Sequence, residues 1–308
     1  MADFKNEFSW SYSRDVLFNE CKREYYYNYY GSWGGWEKNK ADNVTRTLYV
    51  LKNLQNRWQW KGSAVHEEIE RILKELVSTH KLTPLDKSKS RVTEIMRKDF
   101  RSSREGLYWN KSGSLRDEPA LFEHEYRPEV RDEIWKRNYD EVILCLENFY
   151  QSQVIEEIIE LSKETVLSIE SMTGSYFSFN PELYYVKLDL AYSIEDRIKI
   201  YDWKTGSGNS DELQFLIYAL YAHEELDFDL DKITVTELNL FEKYTKIHNF
   251  SPEQIDYAKD YINKSIENMK SYLINAEENT ANMTDFPRTE DRKTCELCKF
   301  QKICFDLE

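Results

Sequence analysis

The chain has 308 residues, 42 Lys+Arg against 56 Asp+Glu, and a formal charge of −14. This is long enough for one large domain or two small ones, with 41% apolar residues to build a core. Nine Gly and six Pro argue against a mostly irregular or disordered chain, and the excess lies in the aromatics, 22 Tyr, 15 Phe and 8 Trp. The acidic balance argues against a uniformly basic surface but leaves room for a local basic patch, and carboxylates that hold divalent ions also count as negative.

The first ten residues, "MADFKNEFSW", lack the cationic and apolar pattern of a signal peptide. No apolar stretch, Phe215 to Ala222 included, is long enough to span a bilayer. The expectation is a cytoplasmic protein with no membrane partner. Residues 1–160 read as mainly helical. Ser13 is a candidate cap for a helix through "RDVLFNECKREYYYNYY" that stops at Gly31. Further helices are predicted from Asn43 to Trp58, from near Gly62 through "AVHEEIERILKEL", over 88–103 and over 128–160, with a polar stretch at 104–127. The segment Lys87 to Arg104 carries seven basic and two acidic residues, either a nucleic-acid patch or a solvated helix face. Glu67, Glu68 and Glu70 read as a solvated face, with Glu70 one turn beyond His66.

The pattern then changes. "ETVLSIE", "SYFSFN", "LYYVKLDLAYSI" and "RIKIYDWK" are β-branched and aromatic with alternation, and predict consecutive strands. "DELQFLIYALYAHEEL" predicts a helix, "KITVTELNLF" and "YTKIHNF" a hairpin, and "SPEQIDYAKDYINKSIENMKSYLINA" a long capped helix. Strands, helix, hairpin and helix together predict an α/β core at 161–287. The remaining segment, 288–308, is cysteine-rich and is expected to pack back on the N-terminus within one integrated domain.

The strand "RIKIYDWK" poses a question at its end. A side-chain period of two puts Ile198, Ile200, Asp202 and Lys204 on one face, apolar and then charged. Such a strand end either emerges into solvent or builds a site. A short turn can bring Asp189 of the preceding strand next to Asp202. Paired carboxylates call for a proton or a cation between them, and oxygen ligands suit Mg²⁺ or Mn²⁺. A lysine alongside can stabilise developing negative charge. That set fits phosphodiester hydrolysis.

The order G-x-x-V-H at His66, then Asp189, then D-x-K-T-G, then Q-x-x-x-Y at Gln214 and Tyr218 resembles the RecB-type nucleases of the PD-(D/E)XK superfamily. The resemblance runs from Ser9 to about Cys304. It implies a restriction-endonuclease-like α/β fold, a mixed sheet flanked by helices, and a metal-dependent deoxyribonuclease. Asp189 and Asp202 match the metal-binding acids, Lys204 the catalytic lysine, and His66 the motif histidine, an added nitrogen ligand that suits Mn²⁺. Trp203 would offer its carbonyl to the metal, and Gln214 and Tyr218 match the pair that lines the DNA path. Glu170 is a candidate outer acid. Lys187 stands where many members have glycine, and the second acid is Asp where Glu is common.

Five cysteines occur, and "CELCKFQKIC" sets Cys295, Cys298 and Cys304 in C-x2-C-x5-C spacing. By spacing alone, zinc and an iron–sulfur cluster are both open. The same resemblance, to the iron–sulfur CRISPR-associated adaptation nucleases and AddB-type nuclease domains, implies Cys21 as a fourth ligand and a 4Fe–4S cluster. Cys145, in "EVILCL", reads as a buried apolar residue. The run "YYYNYYGSWGGW" after Cys21 reads as aromatic packing or as a stacking platform for bases. The resemblance implies DNA with single-stranded character or a free end as substrate. Since no Walker motif is present, any helicase motor is a partner protein. The competing class is a nucleic-acid-binding subunit with little cleavage of its own.

Overall fold

The computed structural model describes residues 5–115, 119–208 and 210–305. Its centre is a five-stranded mixed sheet: β1 (Val166–Tyr176), β2 (Leu183–Ile194), β3 (Arg197–Lys204), β4 (Ile233–Asn239) and β5 (Tyr244–His248), hydrogen-bonded in that order. Within this sheet only β3 and β4 run parallel. Their crossover carries the helix Glu212–Glu224, which is buried at every position from Phe215 to Ala222 because it lies between the sheet and helix Pro252–Lys270. This uniformly apolar helix is the expected form for an element covered on all sides.

Before the sheet come α1 (Tyr12–Glu20), α2 (Asn43–Lys52), α3 (Arg57–Thr79), α4 (Leu85–Arg104) and α5 (Asp132–Tyr150). The two helices named above follow as α6 (Glu212–Glu224) and α7 (Pro252–Lys270). α6 and α7 cover the sheet face of Ile198, Ile200 and Val235. α3 and α5 cover the opposite face of Tyr201, Trp203 and Leu238. The N-terminal segment joins the sheet directly: Trp10 N donates to the Leu183 carbonyl and Tyr185 N to the Trp10 carbonyl, both at 2.8 Å. Among the described residues no helix is long and apolar enough to cross a membrane.

Several boundaries differ from the sequence expectation. The first helix is capped by Ser11, not Ser13, and it breaks at Cys21, whose extended backbone (φ −155°) starts a separate turn that passes into a π-helix at Tyr27–Gly31. α3 begins at Arg57 behind an Asn56/Gln59 capping box, so Gly62 lies inside the helix. Its place there is explained by close approach: a Cβ at Gly62 would stand 3.3 Å from Thr205 Oγ1. "SYFSFN" forms no strand of its own, since β1 runs on through Tyr176. α7 stops at Lys270, short of the predicted end, and Leu273–Asn275 turns into a two-stranded pairing.

Glu68 corrects the solvated-face reading. Its side chain is fully buried, takes the Arg91 guanidinium through Nε and Nη2, and accepts from Ser88 at 2.5 Å. A carboxylate left in the core without its cation is destabilising by about 3 kcal/mol or more. Arg71 also faces Glu68, at 3.5 Å. Arg91→Leu removes the closer cation and is expected to lower unfolding stability by about that amount in urea titration, whereas a loss under about 0.5 kcal/mol would show that Ser88 and Arg71 suffice.

Candidate metal-dependent active site

The site forms where β2 and β3 meet the N-terminal half of α3. The antiparallel register pairs Leu190 with Tyr201, and one further step sets Asp189 across from Asp202. The backbone ladder ends there, since Trp203 N donates to Asp189 Oδ2 at 2.7 Å. This side-chain bond fixes the Asp189 carboxylate at the mouth of the hairpin. His66 reaches in from α3. Its Nδ1 lies 2.8 Å from Glu170 Oε1 and 3.3 Å from Asp189 Oδ1, and its Nε2 lies 3.0 Å from the Trp203 carbonyl.

Ligand atoms of His66, Glu170 and Asp189 lie within 4.8 Å of one another. Glu170 holds this position on a left-handed backbone (φ 50°) within a strand, a conformation that costs free energy at a non-glycine residue. Its second oxygen takes Lys187 at 2.5 Å, so the lysine that stands at the family's glycine position faces this added acid. Asp202 sits on the other side of the cleft. Its Oδ1 accepts from Tyr218 OH at 3.0 Å, and its Oδ2 faces the Lys204 ammonium at 2.8 Å without a hydrogen bond of good angle. Gln214 links the group: its Oε1 accepts from Lys204 at 2.9 Å and its Nε2 donates to Tyr218 OH at 2.6 Å.

Charge and burial compete here. At Asp189 burial favours the neutral acid, but the adjacent His66 and the Trp203 amide outweigh it and hold the carboxyl below its ordinary range. At Asp202 burial, then the Asp189 charge, prevails over Lys204 and pushes the group up to about 6. Burial works against protonation of His66, yet Asp189 and Glu170 raise it well above the ordinary histidine value. Both its nitrogens face oxygen atoms, an arrangement that favours the protonated ring. Tyr218, raised by burial and then by Asp202, stays a neutral donor.

The donor set fits a divalent cation. Three acids (Glu170, Asp189 and Asp202) are buried together, an imidazole nitrogen and a backbone carbonyl converge on them, and Asp202 Oδ2 lacks a hydrogen bond. The structure brings every predicted active-site residue to one cleft: His66, Asp189, Asp202, Trp203, Lys204, Gln214 and Tyr218. Gln214 and Tyr218 face inward on Asp202, and Tyr218 is 6% exposed. Two buried polar residues escaped the sequence reading. Glu237, in register with Asp202, accepts from Ser210 Oγ at 2.7 Å; Asn239, in register with Lys204, donates to the Gly206 carbonyl at 3.0 Å. Both clamp the loop that follows the lysine. Polar residues at alternate positions of "TELNL" were the only signal.

Four of the cysteines converge in a separate pocket. Cys21, Cys295, Cys298 and Cys304 line one pocket together with Glu24, Tyr27 and Arg288. Cys21 Sγ accepts from Glu24 N at 3.5 Å and Cys298 Sγ from Phe300 N at 3.4 Å. Burial raises the pKa of the Cys295, Cys298 and Cys304 thiols, and neighbouring cysteines add to it. The C-terminal segment is held against the N-terminal helices by Arg23 to the Phe286 carbonyl and Tyr126 to the Lys299 carbonyl, each at 2.7 Å, and by Phe300 on Tyr27. Tyr25 and Tyr27 are core residues, at 1% and 0% exposed, whereas Trp33 is exposed and packs edge-on against Trp36. Cys145 is fully buried in the core, as its sequence context indicated.

No curated protein matches the chain at a significant level. A family model does, over residues 9–305, which takes in the helical region, the sheet and all five cysteines. With that match, the chain belongs to the PD-(D/E)XK nuclease superfamily.

Proposed function

We propose that the protein is a metal-dependent deoxyribonuclease that hydrolyses DNA with single-stranded character or a free end. The observation that carries this reading is the convergence of His66, Glu170, Asp189, Asp202 and Lys204 on one cleft, each held by a second protein group. His66, Asp189, Glu170 and the Trp203 carbonyl would hold a Mn²⁺ or Mg²⁺ ion, with Asp202 at its edge; the imidazole nitrogen favours Mn²⁺. When bound, the ion supplies polarisation of the scissile phosphate and a lowered pKa for water.

The remaining chemistry belongs to the chain. Lys204 presents its ammonium to the charge that develops on the phosphoryl oxygens. Gln214 and Tyr218 hold Lys204 and Asp202 in place, and the Glu237/Asn239 clamp fixes the loop behind them. Removal of the Tyr218 hydroxyl leaves Asp202 one hydrogen bond short. Tyr218→Phe is thus expected to lower kcat about tenfold with little change in KM. An equal rise in KM would move Tyr218 to substrate binding.

We read the cysteine pocket, which gathers Cys21, Cys295, Cys298 and Cys304, as the site of a 4Fe–4S cluster, with zinc as the competing occupant. Backbone N–H groups on Cys21 and Cys298 suit cluster thiolates. A helicase or other repair or defence subunit fits as the partner that would feed DNA to this active site.

The test is incubation of end-labelled single- and double-stranded DNA with anaerobically purified protein, with and without Mn²⁺. Metal-dependent shortening of the single strand, or of the duplex from its ends, is expected. Intact DNA of both kinds would overturn the reading in favour of a binding subunit.

A further inference from the structure

Helix α4 carries two kinds of basic residue. In its first half every cation is neutralised: Lys87 meets Glu75 at 3.8 Å, Lys89 meets Glu147 at 2.6 Å, and Arg91 meets Glu68 at 2.6 Å. In its second half Arg97, Arg101 and Arg104 are exposed, and none has an ion-pair partner among the described residues. They recur at i, i+4 and i+7, which sets them in one row along the helix. In a chain of net charge −14, three uncompensated guanidinium groups in a row are unexpected unless an anion meets them.

The row borders a groove between α4 and α5 with a cavity volume of about 390 Å³. Its floor is aromatic: Trp135 packs edge-on against Phe100 at 5.2 Å and against Trp60 at 6.0 Å. Among the described residues, Asp132 is the one carboxylate on its wall. The acid on the second half of α4, Asp99, lines the next cleft with Glu67 and Glu70, away from this row. Trp60 belongs to both clefts. It precedes His66 by six residues on α3, about 9 Å along the helix axis, or roughly two to three stacked nucleotides.

We propose that this groove is a single-stranded DNA channel outside the catalytic cleft, in which Arg97, Arg101 and Arg104 hold successive phosphates while bases rest against the aromatic floor. Planar guanidinium forks match phosphate oxygens, and an aromatic floor accepts any base. The inference rests on the nuclease reading for its substrate. Its role is to hold the strand on one side of the reacting phosphodiester.

Anisotropy of labelled oligothymidylate with the full chain in EDTA, where no cleavage intervenes, measures this contact. The triple variant Arg97→Gln, Arg101→Gln, Arg104→Gln is expected to bind about tenfold more weakly or worse. Its plot of log affinity against log salt should be shallower by about two, from three phosphates at ~0.7 each. Lys87→Gln with Lys89→Gln, which removes paired cations from the same helix, is expected to change neither quantity. Should the triple variant melt early, Arg101→Gln alone carries the test, with a slope change of about 0.7. Wild-type affinity and slope in folded arginine variants, or an equal loss in the Lys87/Lys89 variant, would overturn the channel. Failure of the nuclease reading is distinct: it would show as intact DNA in Mn²⁺ from a protein whose binding still depends on the arginines.

Discussion

Asp189→Asn is expected to weaken divalent-ion binding about 100-fold or more and, with it, to slow cleavage about 10³-fold. Asp189 is the group on which the site's other parts depend: it faces His66 at 3.3 Å and takes the Trp203 amide at 2.7 Å. Asparagine keeps an oxygen for that amide, so the hairpin end survives, but the charge that draws a cation is gone. Loss of a second-sphere partner alone weakens metal sites about 10- to 100-fold. Loss of a charged ligand should reach at least the upper end of that range in calorimetric Mn²⁺ titration, with cleavage slower by about 10³-fold. Glu170→Gln should act in the same direction, because its oxygen shares the 4.8 Å cluster. Wild-type Mn²⁺ affinity in a folded Asp189→Asn protein would remove the metal site from this cleft.

The second large effect concerns the cysteine pocket. Cys21 and Cys295 are separated by nearly the whole chain, so a group bound to both ties the N-terminal helices to the C-terminal segment. Closing a loop of roughly 270 residues removes about 5 kcal/mol of entropy from the unfolded ensemble. Cys21→Ser is expected to bleach the brown colour of an iron–sulfur protein and to lower the melting temperature by roughly 8 °C. The reading of this group as a structural staple fails if iron-free protein melts where the intact protein does. Stoichiometric zinc in a colourless preparation would overturn the cluster while leaving the staple in place.

Much of the fold and of the site is legible in the amino-acid sequence alone. The strands Leu183–Ile194 and Arg197–Lys204 fall where alternation places them, and the Asp202/Lys204 pair at the strand end lies in the cleft that also holds Asp189 and Tyr218. What is not legible follows from physics that sequence pattern does not carry. A break at Cys21 has no glycine or proline to announce it. Glu68 looks like its solvated neighbours until Arg91, on another helix, comes to meet it. Glu170 enters the cleft through a left-handed backbone in a strand, which no propensity predicts. Gly62 reads as a helix start, although its reason is the approach of Thr205 from a loop more than a hundred residues away.

Asp202 and Lys204 stand at their strand end because, with Asp189 and His66, they are proposed to make a hydrolytic site. The most direct measurement is single-turnover cleavage of end-labelled DNA in Mn²⁺ by wild-type protein and by Lys204→Ala, both purified anaerobically. Lys204 forms no part of the core, so its removal should leave the fold and metal binding in place and slow cleavage by about 10³-fold. Cleavage by the variant at the wild-type rate would show that the reaction occurs elsewhere and that this cleft is not its site.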